Sequence, residues 1–418
     1  MAQLTDDCFA FGGPLLSIDD VERLIAERVT PVAETESVAL KDARGRVLVG
    51  DVVAPIDLPP FDNSAVDGYA VRHADVGTKD EAKLVIVDRL TAGRLTGRGI
   101  DAGEAIRIFT GAPMPRGADT VFMQEDVRIE GAAVVVPPGL KPGANRRLAG
   151  EDVARGTVAL PAGRRLQPQD LSMAAALGLQ VLAVRRRVRV AIFSTGDEIV
   201  EPGTKLPAAG LYDANRELLH GLLVQLGAEV SDLGILRDDP EKLAARLTEA
   251  AKGQDLVLTS GGVSTGEADY VRAAIEAIGK LVFWRVAIKP GRPVAMGVLK
   301  GTAFVGLPGN PVAVFVTFAR VVRPLLLRLA GARPEPLIAL PVASGFAYRK
   351  KKGRREYVRV SLTRRPDGCY EAHKHPQDGA GVISSLTATD GLAELDDDVT
   401  EIAHGQMIGF LPYSVLGG

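Results

Sequence analysis

Four stretches of the chain combine the glycines, hydroxyls and carboxylates that handle phosphate and metal ions. They are Ser194-Thr-Gly-Asp-Glu198, Arg237-Asp-Asp-Pro240, Ser260-Gly-Gly-Val-Ser-Thr-Gly-Glu-Ala-Asp269 and Gly306-Leu-Pro-Gly-Asn-Pro311. Gly261 and Gly262 have no Cβ, so a phosphate can approach their backbone N–H groups, and a helix starting near Ala268 adds its positive end. Lys289 and Arg292, in Ile288-Lys-Pro-Gly-Arg292, supply cations, and an arginine can hold phosphate through two parallel hydrogen bonds. Asp197, Glu198, Asp238, Asp239, Glu267 and Asp269 crowd the same loops. So many fixed anions repel an anionic ligand unless a cation intervenes, and Mg²⁺ held by one or two carboxylates plus phosphate oxygens is the usual solution. Each loop alone has a plain structural reading: Gly-Gly is a tight turn, Asp-Asp-Pro a helix cap, Leu-Pro-Gly-Asn-Pro a rigid turn.

What joins the loops is the pattern around them. Val188–Phe193, Glu229–Leu236, Asp255–Leu258 and Ala303–Val305 read as strands. Helices are expected after Asp213 (with Leu218, Leu219, Leu222 and Leu226 on one face), over Pro240–Ala251, over Ala268–Ile278 and over Val312–Leu329. Strands alternating with such helices imply a parallel sheet with right-handed crossovers. The four loops follow its strands, and ligands bind in the crevice beyond the carboxyl ends of a sheet of this type. The runs Leu281–Ala287 and Pro293–Leu299 read as a hairpin inserted in it.

The remainder is β-rich. Ser17–Val29 reads as a helix capped by Ser17 and Asp20, and Gln167–Leu177 as another. Between them, Lys83–Val87, Ala105–Phe109, Val121–Met123 and Ala133–Val136 alternate with Gly and Pro clusters, as short strands do. Beyond Pro334 and Pro336, the runs Leu337–Val342, Glu356–Leu362, Val382–Leu386, Gly391–Leu395 and Gln406–Phe410 read as strands of a small β domain. A second set of polar residues falls in the first β-rich region: Asp62-Asn-Ser-Ala-Val-Asp-Gly-Tyr-Ala70, Ile106-Arg-Ile-Phe-Thr-Gly-Ala-Pro113 and Asn145-Arg-Arg-Leu-Ala-Gly-Glu-Asp152. Turn chemistry alone can account for each of these.

Composition sets bounds. The 418 residues form two to four domains at roughly 150 residues each. The formal charge of −2 argues against a nucleic-acid binder. The basic run Arg185–Arg189 reads as a solvated strand entrance. Two cysteines, Cys8 and Cys369, exclude a disulfide framework and a zinc ribbon. His373 and His375 read as an exposed basic turn, and Trp284 as packing. No Walker-type GxxxxGK[ST] loop and no HExxH occurs. Lacking an apolar run that suits a signal peptide or a membrane span, the chain is expected in the cytoplasm.

The motifs together resemble the molybdopterin molybdotransferase family, MoeA-like proteins related to the C-terminal domain of gephyrin. The resemblance runs through Asp62–Ala70, Thr110-Gly-Ala-Pro113, Gly150-Glu-Asp152, Ser194–Glu198, Ser260-Gly-Gly-Val-Ser264, Gly266-Glu-Ala-Asp-Tyr270, Ile288-Lys-Pro-Gly291 and Gly306–Pro311. It implies an elongated homodimer of four domains: a discontinuous mixed linking domain over 14–55 and 148–185, a β-rich domain over 56–147, a doubly wound, mostly parallel α/β pterin-binding domain over 186–332, and a C-terminal β domain over 333–418. It implies a site completed by the β-rich and C-terminal domains, with the partner subunit contributing. The implied reaction takes adenylylated molybdopterin and molybdate, inserts molybdenum, releases AMP and depends on Mg²⁺, with transient contact with molybdopterin adenylyltransferase.

Carried over by position, Asp67, Thr110, Asp152, Glu198 and Asp269 are implied as catalytic. Gly261, Gly262, Ser264, Asp238, Arg147, Arg285, Lys289, Arg292, Pro308 and Pro311 are implied to bind substrate, and Glu198, Asp238 and Asp269 to hold metal. Two positions depart from the pattern: Arg285 stands where some members carry Lys, and Ala380 where many carry Ser. Two other readings compete: the adenylyltransferase step, whose enzymes share the α/β domain, and a receptor-clustering scaffold of the gephyrin type.

Overall fold

The computed structural model describes residues 4–5, 8–10, 15–236, 240–261 and 270–416. The chain divides into two compact units. One comprises Met1–Val49, Gly163–Leu166 and Ala183–Gly418, the other Gly50–Ala162 and Gln167–Leu182. The chain opens with α1 (Ile18–Arg28), capped as its sequence requires: Ser17 Oγ accepts from Asp20 N at 3.1 Å, and the Asp20 carboxylate accepts from Ser17 N at 3.2 Å.

The second unit is built on a six-stranded mixed sheet. Its strands are β1 (Gly68–Val71), β2 (Ala82–Leu90), β3 (Glu104–Ile108), β4 (Thr120–Met123), β5 (Arg128–Glu130) and β6 (Ala133–Val136), in the order β4-β1-β3-β2-β6-β5. β1 lies so close to β4 that a Cβ on Gly68 would meet Phe122 O at 1.8 Å, so only glycine fits there. The unit also contains α2 (Pro168–Ala176).

The first unit carries the expected α/β sheet: β7 (Arg189–Ser194), β8 (Glu229–Ile235), β9 (Leu256–Ser260), β10 (Gly279–Arg285), β11 (Ile288–Lys289, which pairs elsewhere), β12 (Pro293–Leu299) and β13 (Thr302–Leu307). The sheet order is β8-β7-β9-β13-β12-β10, parallel from β8 to β13. The hairpin β10–β12 is antiparallel and extends the edge, rather than lying inside the sheet. Alternate side chains sort onto two cores. Val190, Ile192, Leu256 and Leu258 face one core with α3 (Asn215–Gln225), while Ala191, Phe193 and Val257 face the other with α4 (Pro240–Ala251) and α5 (Tyr270–Ile278). The exposed edge of β10 is covered by the chain preceding α1. Leu16 N donates to Arg285 O at 2.9 Å, Ala287 N to Leu16 O at 2.7 Å, and Trp284 Nε1 to Phe9 O at 2.9 Å.

The expected helix Val312–Leu329 is α6 (Pro311–Thr317), a π turn over Phe318–Val322 and α7 (Arg323–Leu329). Pro324 has no N–H for the carbonyl of Arg320, which favours widening of the helix just before it. Five strands of the C-terminal region, β14 (Leu340–Ser344), β15 (Arg355–Arg364), β16 (Tyr370–Lys374), β17 (Gly391–Leu395) and β18 (Met407–Pro412), pair in a closed ring, β15-β16-β14-β18-β17 and back to β15. β11, from the β10–β12 hairpin, joins this ring through parallel pairing with β15.

Other readings need correction. Val382–Leu386 is not a strand: Ser385 Oγ donates to Val382 O at 2.6 Å and folds the segment into a turn leading to the short helix Ser384–Thr387. α3 begins at Asn215, two residues after Asp213, whose carboxylate still serves the helix start by accepting from the first-turn Arg216 N at 3.2 Å and also from Arg216 Nε at 3.1 Å. The helix placed from Ala268 is described only from Tyr270. The Arg185–Arg189 run is not merely solvated. Arg186 donates to both oxygens of buried Asp255, at 2.9 and 3.0 Å, and pairs with Glu34, while Arg185 Nη1 donates to Val32 O at 2.7 Å. The Asp255 contact is the largest of the effects that raise the Arg186 pKa above the ordinary arginine value.

Asp255 also accepts from Arg189 N at 2.7 Å, so it anchors the start of β7. Asp255→Ala leaves the half-buried Arg186 short of its main partner and should lower the unfolding free energy of this unit by about 3 kcal/mol in a urea titration.

Candidate active site

In the first unit, the site is set by the register of three strand ends. Ser194 lies opposite Ser260, and Ser260 opposite Leu307. The loops after β7, β9 and β13 therefore leave side by side. Gly261 N donates to Leu307 O at 3.1 Å. Gly261 has φ +85, and a Cβ there would sit 2.9 Å from Thr195 O, so glycine is required where two loops cross. Gly196 has φ +134, and its absent Cβ leaves room for the Glu198 carboxylate to fold back against it. Glu198 itself is exposed.

Asn215, the first residue of α3, joins two loops. Its Nδ2 donates to Ser260 Oγ at 2.8 Å and to Gly309 O at 2.7 Å, and Ser260 Oγ also reaches Pro308 O at 3.4 Å. Among the described residues, three oxygens of this rim, Ser194 Oγ, Thr195 Oγ1 and Asn215 Oδ1, are buried without a hydrogen-bond partner. Each such group costs about 1–3 kcal/mol, and a rim that tolerates them is prepared for a polar guest. Pro311 opens α6, and Val312 N donates at 3.0 Å to Ala380 O of the C-terminal ring. The contact at Ala380 is therefore made by backbone, which any side chain permits. Gly262, Ser264, Asp238 and Asp269 lie outside the described residues.

Lys289 lies on β11. Its ammonium donates to Glu356 Oε2 at 3.1 Å and to Tyr348 OH at 3.4 Å. Glu356, buried at 1% exposure, also accepts from Tyr348 OH at 2.9 Å and Arg354 Nε at 2.7 Å. Burial alone would raise the Glu356 pKa, but hydrogen bonds from Lys289, Arg354 and Tyr348 outweigh it and hold the carboxyl below the usual range. Burial would lower Lys289, and the Glu356 contact more than reverses this, so the ammonium stays charged. Gly291 lets the loop close on α6: a Cβ there would fall 2.3 Å from Thr317 Oγ1. Arg285 ends β10, Arg292 precedes β12, and both are exposed.

In the second unit, Asp67 and Thr110 are in contact. Asp67 Oδ1 accepts from Thr110 N and from Thr110 Oγ1, both at 2.8 Å. These bonds, the backbone one first, hold the Asp67 carboxyl below its ordinary value. A carboxylate this acidic suits charge stabilisation better than proton abstraction near neutrality. Asp62 Oδ2 accepts from Arg146 Nε at 3.0 Å and Asp62 Oδ1 from Ala149 N at 2.8 Å, which fixes the turn that carries Arg147 and Asp152. Arg147 pairs by backbone with Asn63, Asp152 N donates to Leu58 O at 3.0 Å, and both side chains are exposed. Among the described residues, no hydrogen bond joins Arg147 or Asp152 to the Asp67–Thr110 pair.

Asn215, Tyr348 and Glu356 escaped the reading of the sequence. Asn215 sits within a helix start, where it passes for a turn residue. Glu356 alternates with apolar residues in a strand and looks solvent-facing until the ring closes over it. Among the described residues no cluster of three or more His, Cys, Asp or Glu is placed to hold a metal. The donors along the rim are oxygens, which suit a hard cation such as Mg²⁺ that keeps waters and takes one or two carboxylates.

Comparisons with known proteins agree with this architecture. Residues 16–178 match the MoeA N-terminal region (domains I and II), residues 191–328 the probable molybdopterin binding domain, and residues 341–413 the MoeA C-terminal region (domain IV). The molybdopterin molybdenumtransferase of Haemophilus influenzae is 35% identical over 409 residues, covering 97% of this chain and 100% of that protein. That of Nostoc sp. is 37% identical over 405 residues, covering 94% and 93%. The crystal structure of the molybdopterin biosynthesis moeA protein from Pyrococcus horikoshii has a TM-score of 0.79 at 30% identity, covering 96% of this chain and 100% of that one. This chain is a member of the molybdopterin molybdenumtransferase (MoeA) family, transferases of molybdenum cofactor biosynthesis.

Two outcomes follow from the geometry. Thr110→Val removes the hydroxyl bond but keeps the backbone one, so the Asp67 carboxyl should titrate closer to its ordinary value of about 3.9 in an NMR pH series. Glu356 has a depressed folded pKa, so its stabilisation is present above the unfolded value of about 4.3 and is lost as pH falls through the folded one. Glu356→Gln should therefore be less stable than wild type near neutrality, by about 1–3 kcal/mol, with the gap closing in acid denaturation profiles.

Proposed function

We propose that this chain inserts molybdenum from molybdate into adenylylated molybdopterin, releasing AMP and forming the molybdenum cofactor. The observation that carries the reading is the rim of the parallel sheet, where three loops and a required glycine meet and where, among the described residues, the buried hydroxyls of Ser194 and Thr195 have no hydrogen-bond partner. Such hydroxyls can donate to an anionic guest.

In this reading Glu198, Asp238 and Asp269 would hold Mg²⁺, which when bound would supply charge neutralisation for the phosphoanhydride of the substrate. Lys289, kept protonated and aimed by Glu356, receives molybdate, and Arg285 and Arg292 add positive potential. Asp67, ionised and oriented by Thr110, acts through its charge. Asp152, Arg147, Gly261, Gly262, Ser264, Pro308 and Pro311 complete substrate binding and catalysis. The four-domain division, a homodimer, a cytoplasmic location and transient contact with molybdopterin adenylyltransferase belong to the same proposal. No helix among the described residues is long and apolar enough to cross a membrane.

The test is to supply adenylylated molybdopterin, molybdate and Mg²⁺, then measure AMP and reconstitution of an apo-molybdoenzyme. AMP release with active enzyme supports the reading. No AMP there, with adenylylated product formed from molybdopterin and ATP, would transfer the chain to the adenylyltransferase step. Lys289→Ala should lose roughly 10- to 100-fold in molybdate-dependent rate, the worth of a charge-assisted hydrogen bond. An unchanged rate would remove Lys289 from the mechanism.

A further inference from the structure

On the sheet of the second unit, β2 and β3 pair in parallel, and their register sets Arg89 directly opposite Arg107. Like charges in that position repel and destabilise a sheet. Among the described residues neither guanidinium has a carboxylate within ion-pair distance, although the charge of Asp67 acts on Arg107 from farther off. Aromatic faces hold the two cations instead. Arg89 lies 4.9 Å and Arg107 5.1 Å from the centre of the Phe109 ring, and Arg107 also lies 4.8 Å from that of Tyr69. The Arg107 side chain donates its hydrogen bond to a neutral group, Gln124 Oε1. The rings hold the guanidinium groups by their faces, and among the described residues only Gln124 is seen to take an N–H of Arg107.

The patch borders the Asp67–Thr110 pair. Tyr69 is two residues from Asp67, and Phe109 precedes Thr110. We propose that Arg89 and Arg107 form a receptor for a tetrahedral oxyanion on this face of the sheet. Two forked donors in cross-strand register match the several acceptor oxygens of a tetrahedral dianion. Two cations on a chain of formal charge −2 are too few for a nucleic acid, which needs an extended basic surface. Within the reaction proposed above, two sources carry this chemistry: free molybdate and a phosphate group of the adenylylated substrate. The choice between them rests on that reaction, whereas the receptor does not.

The experiment titrates the full chain with sulfate and with molybdate by calorimetry, and separately measures KM for adenylylated molybdopterin. Arg89→Ala and Arg107→Ala are compared with wild type, and thermal melts check folding. Arg89 is exposed, so its variant keeps the test available should Arg107→Ala disturb the stack. A loss of roughly tenfold or more in anion affinity supports the receptor and assigns it to free oxyanion, with Arg89→Lys losing less because it keeps charge without the fork. Unchanged anion affinity with KM raised about tenfold at constant kcat supports the receptor and assigns it to the substrate phosphate. Unchanged affinity together with unchanged KM overturns it. A chain that binds sulfate through both arginines yet never releases AMP keeps the receptor and sinks the proposed reaction.

Discussion

Alignment of three parallel strands, in register to the last residue, is the constraint on which the α/β half of this molecule depends. Ser194, Ser260 and Leu307 occupy neighbouring ladder positions, so their strands end about 4.8 Å apart. The loops that follow must share one rim, however far apart they stand in the chain. The same register sorts Val190 and Ile192 from Ala191 and Phe193, and a slip of one residue would turn both cores inside out. The burial that stabilises the sheet therefore also places the loops, and neither can change without the other.

The charges that matter are held by partners rather than left to solvent. Lys289 is braced by a buried carboxylate that itself has three donors. Asp67 is clamped by both the amide and the hydroxyl of Thr110. Groups fixed in this way need little reorganisation when charge develops nearby, and such preorganisation is usually the largest electrostatic contribution to catalysis. The C-terminal ring takes part because β11 leaves the α/β hairpin to pair with β15, which carries Glu356 next to Lys289. The contact is secured farther along by Arg320, in the π turn, whose Nε donates to Tyr357 OH at 2.7 Å.

Much of this was legible in residue types. Long buried strands announce themselves as near-continuous apolar runs, and Ser17 with Asp20 spelled out a helix start. Glycines at strand ends marked the loops correctly because positive φ and close backbone approach leave few alternatives at Gly261 and Gly196. The errors arose where local and distant partners compete for one side chain. Val382–Leu386 looked like a strand until Ser385 bonded back to Val382. The basic run before β7 looked solvated because Asp255, its partner, lies 69 positions away from Arg186.

By itself the amino-acid order determined the periodicities, hence the strands, most helices and the positions of the loops, because these depend on neighbours within a few residues. Tertiary structure alone decided which charges are buried and paired, that Glu356 rather than solvent faces Lys289, that Asn215 joins two loops, and that Arg89 meets Arg107. Those outcomes depend on strand register and ring closure, which bring together residues that no local pattern connects.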